Sequence, residues 1–342
     1  MTDSTPLRSR LQEFSWSDRR VVLAGLLVIA SVVMSMLSPY FLRVDNLLSM
    51  TQFGAVVGLL ALGQSMVILG GDGGIDLSVG STMSLSGVVM GLVAQDLGLS
   101  PWLAAVFALV AGLLLGLLNG FLITIVRIPA LISTLGTLFL YSSVALVLTG
   151  GGQTGGMDRD GFRNLGNSTI LGVPTQVLVV LIPAYLVVGA LLAWTRYGRR
   201  IYQAGNNERS AALVGINVTG LRLSLYCWSG LLSALAAVVS NSWLLTARPS
   251  AGLNLELQAV TIAVLGGIHI FGGRGRLGGV ALAVLLVIVV NSGLQLAGFS
   301  QTIQAGVLGA LLVISALLPE LGNLRLIGRL RPRKELVSSP AE

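Results

Sequence analysis

Cysteine, histidine and lysine occur once each in these 342 residues, as Cys227, His269 and Lys334. A lone cysteine closes no internal disulfide, and one cysteine with one histidine cannot build a Cys/His metal cluster. A Cys–His nucleophilic pair would need both, yet each sits in a strongly apolar run where packing or a helix-end role is the ordinary use. The missing lysines exclude more. A P-loop ends on Gly-Lys-Ser/Thr after a strand, and the only lysine stands in the C-terminal tail. The chain therefore does not bind and hydrolyse ATP in the P-loop manner. Charge is scarce as well: 10% of residues carry it, against about 25% in soluble domains. With 54% apolar residues and a mean hydropathy of +0.86, neither a soluble globule nor a disordered chain is tenable. The alternating ten-residue strands of a porin are absent too. What remains is an all-α polytopic helix bundle in a bilayer.

Ten apolar segments approach the roughly 20 residues that an α-helix needs to cross about 30 Å of hydrocarbon. They cover 21–38, 47–69, 79–95, 102–126, 130–149, 174–195, 223–245, 257–271, 278–298 and 302–319. The eighth is short, which suits a tilted, broken or extended segment. A polar cytoplasmic segment, 1–20, precedes the transmembrane domain of 21–319, and a basic cytoplasmic tail, 320–342, follows it. Residues 1–20 lack the pattern of a cleavable signal peptide. Positive residues stay cytoplasmic when a membrane protein inserts. With the N-terminus inside, only Arg43, Arg159, Arg163 and Arg248 fall outside, so 17 of the 21 Lys and Arg are cytoplasmic. That asymmetry supports ten spans with both termini inside. It also accounts for the net charge of +7 without nucleic acid, since the positive side faces an anionic inner leaflet.

Glycine is abundant, at 44 residues. Pairs such as Gly54/Gly58 and Gly87/Gly91, and the ladder Gly112/Gly116/Gly120, recur every four residues and let helix backbones approach in lipid. Two clusters instead interrupt apolar runs. The first is Gly70-Gly71-Asp72-Gly73-Gly74-Ile75-Asp76-Leu77-Ser78-Val79-Gly80-Ser81. Irregular backbone near a membrane is tolerated only against protein or a water-filled cavity. Asp76, Ser78 and Ser81 read as a helix start, with Asp or Ser capping free N–H groups. The second cluster, 265–279, holds His269, Arg274 and Arg276 and reads as a tight inward-facing turn.

The cytoplasmic segment 196–222 contains a short helix by its end signals. Asn206 or Asn207 caps it, Glu208 in its first turn suits the helix dipole, and Gly215 stops it. Two turns showing Ala211, Ala212, Leu213 and Val214 are marginal alone in water, so a docking partner is expected to supply the missing burial.

These residues together resemble the ribose-type permease family of bacterial ATP-binding-cassette importers. The resemblance rests on Gly73-Gly74-Ile75-Asp76-Leu77-Ser78-Val79-Gly80 and Leu135-Gly136-Thr137. It rests also on the run from Gly205-Asn206-Asn207 through Ala211-Ala212 to Gly215-Ile216-Asn217-Val218. Ala263-Val264-Leu265-Gly266-Gly267 and Gly272-Gly273-Arg274-Gly275 complete it. Thr134 to Gly151 and Gly293 to Gly298 are similar to the autoinducer-2 import permeases, while ribose and rhamnose permeases share most of these stretches. Ile268-His269 departs from the small or polar residues of many relatives.

The resemblance implies a permease subunit in the bacterial inner membrane, paired with a second one, a copy or a paralogue. It further implies two cytoplasmic ATP-binding subunits carrying ATP–Mg, a periplasmic substrate-binding protein, and no cofactor on this chain. Asn206, Asn207, Glu208, Ala211, Ala212, Leu213 and Gly215 then form the coupling element seated in the ATPase, and Gly73, Gly74, Asp76, Ser78 and Gly80 the family motif. The substrate class is a small, neutral, hydroxyl-rich molecule. Uncharged polar residues within spans, Gln64, Asn119, Asn241, Asn291 and Gln295, suit such a path without the cost of a buried charge; interhelical hydrogen bonding is their other use. An ion-coupled secondary transporter is the alternative. It would need charged residues well inside the spans, and Asp72 and Asp76 stand at a span end.

Overall fold

The structure, a computed structural model, describes residues 19–313. Residues 1–18, the end of the tenth segment and the 320–342 tail lie outside the described residues. Among the described residues thirteen α-helices follow one another. They are α1 (Arg19–Leu37), α2 (Val44–Leu69), α3 (Val79–Gln95), α4 (Pro101–Thr124), α5 (Ala130–Thr149), α6 (Arg163–Asn167), α7 (Ile182–Trp194), α8 (Arg196–Asn206), α9 (Glu208–Leu213), α10 (Val218–Leu244), α11 (Leu255–Leu265), α12 (Leu277–Leu296) and α13 (Gln301–Val313). Seven of the helical stretches are long and apolar enough to cross a membrane, whereas α3, α11 and α13 are shorter. Among the described residues the fold departs from all-α only at a hairpin of two-residue strands, β1 (Thr169–Ile170) with β2 (Val173–Pro174), and at a bridge between Thr154 and Ala247.

Two expected spans are corrected. The sixth does not begin at 174, which pairs in β2; it opens with a π-helical turn, Val177–Leu181, just ahead of Pro183 in the first turn of α7. The eighth does not reach 271. Helix α11 has 11 residues and stops at Gly266, because Gly267 turns left-handed at φ +96°. At 1.5 Å per residue it rises about 16 Å, half of a hydrocarbon core.

Helix α2 is the axis of the bundle: every residue from Gly54 to Leu69 is buried. Helices α10 and α12 pack on it, and α1 covers α12. The glycine ladder behaves as its spacing predicts. A Cβ on Gly112 would stand 2.5 Å from the Gly230 carbonyl and from the Ala234 side chain. One on Gly116 would stand 3.0 Å from the Tyr226 carbonyl carbon, and one on Gly120 would stand 3.0 Å from the Leu223 oxygen. Helices α4 and α10 thus touch backbone to backbone over three successive turns, where dispersion rather than burial from water provides the attraction. The outward faces of α1, α4, α5 and α7 present apolar side chains such as Ile29, Leu114, Phe139 and Leu186, as hydrocarbon requires.

Candidate functional site

The first glycine cluster folds back into the bundle. Gly71, Asp72 and Gly73 take φ of +77°, +57° and +62°, a left-handed run that reverses the chain after α2. The returning strand then climbs beside α2, and Gln64 brackets its main chain. With its amide turned to suit, the Gln64 nitrogen donates to the Asp76 carbonyl at 2.9 Å, and its oxygen accepts from the Asp76 N–H at 3.2 Å. Since Gln64 precedes the end of α2 by more than a turn, Asp76 lies inside the bundle, above the loop. It is 2% exposed. Its carboxylate accepts from the Ser78 N–H (3.0 Å), the Ser78 hydroxyl (2.7 Å) and the Ser229 hydroxyl of α10 (2.8 Å). Asn119 of α4 donates to Ser78 Oγ at 2.7 Å, and the Tyr141 hydroxyl of α5 donates to Asn119 at 3.3 Å. One buried polar network therefore joins five helices. The expected side-chain cap of α3 is not formed: Asp76 bonds the N–H of Ser78, the residue before the first turn, and Ser81 bonds back to the Ser78 carbonyl.

A second irregular segment meets the first. After α10 the chain runs back along α3: the main chains of Ala247 and Thr154 pair beside Gly91, and the Gly252 N–H donates to Ser84 Oγ at 2.9 Å. At Gly80 and Gly252 the two backbones touch, leaving no room for a side chain on either. Helix α11 starts three residues later, deep within the bundle, which is why it is so short. Arg248, Ser250 and Asn254 of this segment are exposed. Non-helical backbone at such depth has to line a cavity or meet protein.

At the far end of α2, two glycine turns converge on the last turn of α8. A Cβ on Gly71 would stand 2.7 Å from Gly205 Cα, one on Gly205 would stand 2.5 Å from the Gly273 nitrogen, and one on Gly273 would stand 2.5 Å from the Asn206 nitrogen; Gly272 closes on Gly71 likewise. The Gly273 N–H donates to the Leu69 carbonyl at 3.1 Å. Beside this knot Arg222, 14% exposed, donates to Asp72 at 2.9 Å and to Glu208 at 3.0 Å, tying the α2–α3 loop to the first turn of α9. Burial pushes the Tyr202 phenol above its ordinary range against the opposing Arg276 charge, and it donates to the Gly275 carbonyl at 3.1 Å. Exposed ion pairs of this kind contribute about 1 kcal/mol each or less. Arg222→Gln is therefore expected to speed hydrogen exchange of the 208–213 amides severalfold; unchanged rates would show that the clamp does not hold α9.

Helix α9 matches its end signals closely. Asn207, rather than Asn206, is the cap, accepting from the Ser210 N–H at 2.9 Å. Gly215, at φ +80°, donates to the Ala212 carbonyl at 3.0 Å and Ile216 to Ala211 at 3.1 Å, the paired bonds of a Schellman stop. The expected display needs one correction. Ala211 is 3% exposed and packs into the core, because one face of so short a helix has to be anchored. Ala212 is exposed, as are Leu213 and Val214, at 89% and 73%.

The five uncharged polar residues divide. Gln64 and Asn119 belong to the Asp76 network, and Asn241 donates to the Gly87 carbonyl at 3.1 Å. Asn291 is half-buried, with a 3.5 Å contact to Gln258 of α11 and a buried Oδ1 that finds no partner, and Gln295 is exposed. His269 is not packed: it stands exposed on the turn, its ring 5.7 Å from that of Phe271. Cys227 is half-buried. Sequence spacing gives no sign of Ser229, Tyr141 or Arg222 as partners of the first cluster, since each arrives from more than 60 residues away.

Residues 46–316 match the protein family described as branched-chain amino acid transport system / permease component. The chain is 38% identical over 294 residues to the ribose import permease protein RbsC of Bacillus subtilis (strain 168), covering 85% of this chain and 90% of that one. It is 37% identical over 307 residues to the autoinducer 2 import system permease protein LsrD of Enterobacter sp. (strain 638), covering 88% and 92%. The protein of that name from Escherichia coli (strain K12) is 38% identical over 299 residues, covering 86% and 89%.

Proposed function

The chain belongs to this permease family and is the sugar-permease kind of ATP-binding-cassette importer subunit, and we propose that α9 is the handle by which a separate ATPase drives it. The observation that carries the reading is the exposure of Leu213 and Val214 on a helix that is capped at both ends and anchored by Ala211. An ordered apolar tip in water marks a contact surface.

The drive passes through residues in contact. Glu208 shares Arg222 with Asp72, four residues before Asp76, and the same strand continues to Gly80 against Gly252, from which α11 departs. Movement of α9 on ATP binding and hydrolysis would thus tilt the α2–α3 loop and the start of α11 together. Asn291, Gln258 and Gln295, with the exposed side of 248–254, line the solute path beside them. Uncharged amides of that kind suit ribose-like or autoinducer-2-like hydroxyls. The complex comprises a second permease, a copy or a paralogue, two cytoplasmic ATP-binding subunits with ATP–Mg, and a periplasmic binding protein. Both termini and the α8–α9 segment are cytoplasmic, on the side that holds 17 of the 21 Lys and Arg.

Leu213→Asp places a charge in the docking surface and leaves the anchored face untouched. It is expected to lower uptake roughly tenfold, the loss of one interface hot spot, with membrane abundance and thermal stability unchanged. Normal uptake by this variant would overturn the docking role.

A further inference from the structure

Where α1 begins, at the end of the bundle that carries α8 and α9, a cavity of about 490 Å³ opens between Arg20, Tyr202 of α8, Gly267, Arg274, Gly275 and Arg276. Its size falls within the range of small-molecule sites, about 300–1000 Å³. Among the described residues none of the lining is acidic, and no ion pair is found for Arg274 or Arg276. Side chains are scarce in the rest of the wall, so main-chain groups are within reach. Helix α12, 20 residues long, starts at this cavity with Arg276 as its first flanking residue and without a side-chain cap. Guanidinium forks, accessible backbone and an uncapped helix start all favour an anion with several acceptor oxygens.

We propose that this cavity binds a phosphate group. The position favours the phosphodiester of an anionic lipid: the cavity sits at the end of α1, whose Val28, Ile29, Val32 and Met36 are exposed as on a lipid-facing helix. A phosphate held there bears on the Gly266–Arg276 turn and, through the Tyr202 hydrogen bond to Gly275, on α8, which leads directly into α9. Anionic lipid would thereby stiffen the joint between the handle and α11–α12. Binding requires no transport cycle, so the proposal stands or falls apart from the import reading.

The test uses the full chain in neutral detergent, titrated separately with short-chain phosphatidylglycerol, short-chain phosphatidylcholine and inorganic phosphate, with thermal unfolding and native mass spectrometry as readouts. Phosphatidylglycerol is expected to raise the unfolding midpoint by several degrees and to be retained at least tenfold better than phosphatidylcholine. Arg274→Gln/Arg276→Gln loses that preference, while Arg274→Lys/Arg276→Lys, which keeps the charge, retains part of it. Arg199→Gln/Arg200→Gln, exposed arginines of α8 outside the cavity, keeps it all. A rise with inorganic phosphate that the glutamine pair abolishes supports the site with a soluble anion as its source. Equal responses to both lipids with none to phosphate, or a preference that survives the glutamine pair, overturns the proposal.

Discussion

Asp76→Ala is expected to bring uptake down to background and to lower the midpoint of thermal unfolding by about 5 °C. The carboxylate accepts three hydrogen bonds in a fully buried setting. Alanine leaves the Ser78 N–H and two hydroxyls to find other acceptors, and each buried donor that fails costs about 1–3 kcal/mol. The loss does not stop at the start of α3, because Asn119 and Tyr141 are held through Ser78 and the main chain of Asp76 is held by Gln64. Asp76→Asn separates shape from charge. Its amide oxygen still accepts from Ser78, and the Ser229 hydroxyl can turn to accept from its nitrogen, so most of the stability returns. An Asp76→Ala protein as stable and as active as the natural one would reduce the break to an ordinary turn.

Gly205→Val is the second large effect. The new side chain would meet main-chain atoms, the Leu69 carbonyl and the Gly273 nitrogen, and a backbone cannot swing aside as a long side chain does. Overpacking of this kind costs about 1–3 kcal/mol or more, and here it forces α8 off both the α2–α3 loop and the Gly266–Arg276 turn. Uptake is expected to fall to background, with Gly205→Ala already severely impaired. Two further alanines calibrate the result. Gly189→Ala on α7 has open space around it and should be silent. Gly215→Ala also has open space but a φ of +80°, so it should show only the modest cost of a left-handed alanine. If Gly205→Ala behaves like Gly189→Ala, the two turns and the end of α8 are not a mechanical joint.

The legible part of this protein is whatever its local chemistry decides. Helix α9 could be bounded to within a residue, its cap lying at Asn206 or Asn207, because Asn207, Glu208 and Gly215 are end signals acting within one turn of themselves. The glycine ladder on α4 was readable for a similar reason, since in lipid a small face has one main use. Burial of Ala211 was not legible: which side of a six-residue helix turns inward depends on what lies beneath it. The same holds for Gln64, Asn119 and Asn241. Their positions inside spans follow from composition, but whether an amide faces the path or a neighbouring carbonyl is decided by residues far away in the chain. The short α11 was foreshadowed by a weak apolar run and Gly266-Gly267. That its missing half is an irregular strand lying along α3 depends on the contact of Gly80 with Gly252, two glycines about 170 positions apart.

The seam between α4 and α10 has a kinematic consequence. Interlocked over three turns with carbonyls against α-carbons, these two helices resist sliding past one another and are expected to travel as a single block. On the proposed import reading, alternation of access is expected to hinge elsewhere, at the glycine knot and at the origin of α11, with the α4–α10 pair as the stator against which the other parts rock.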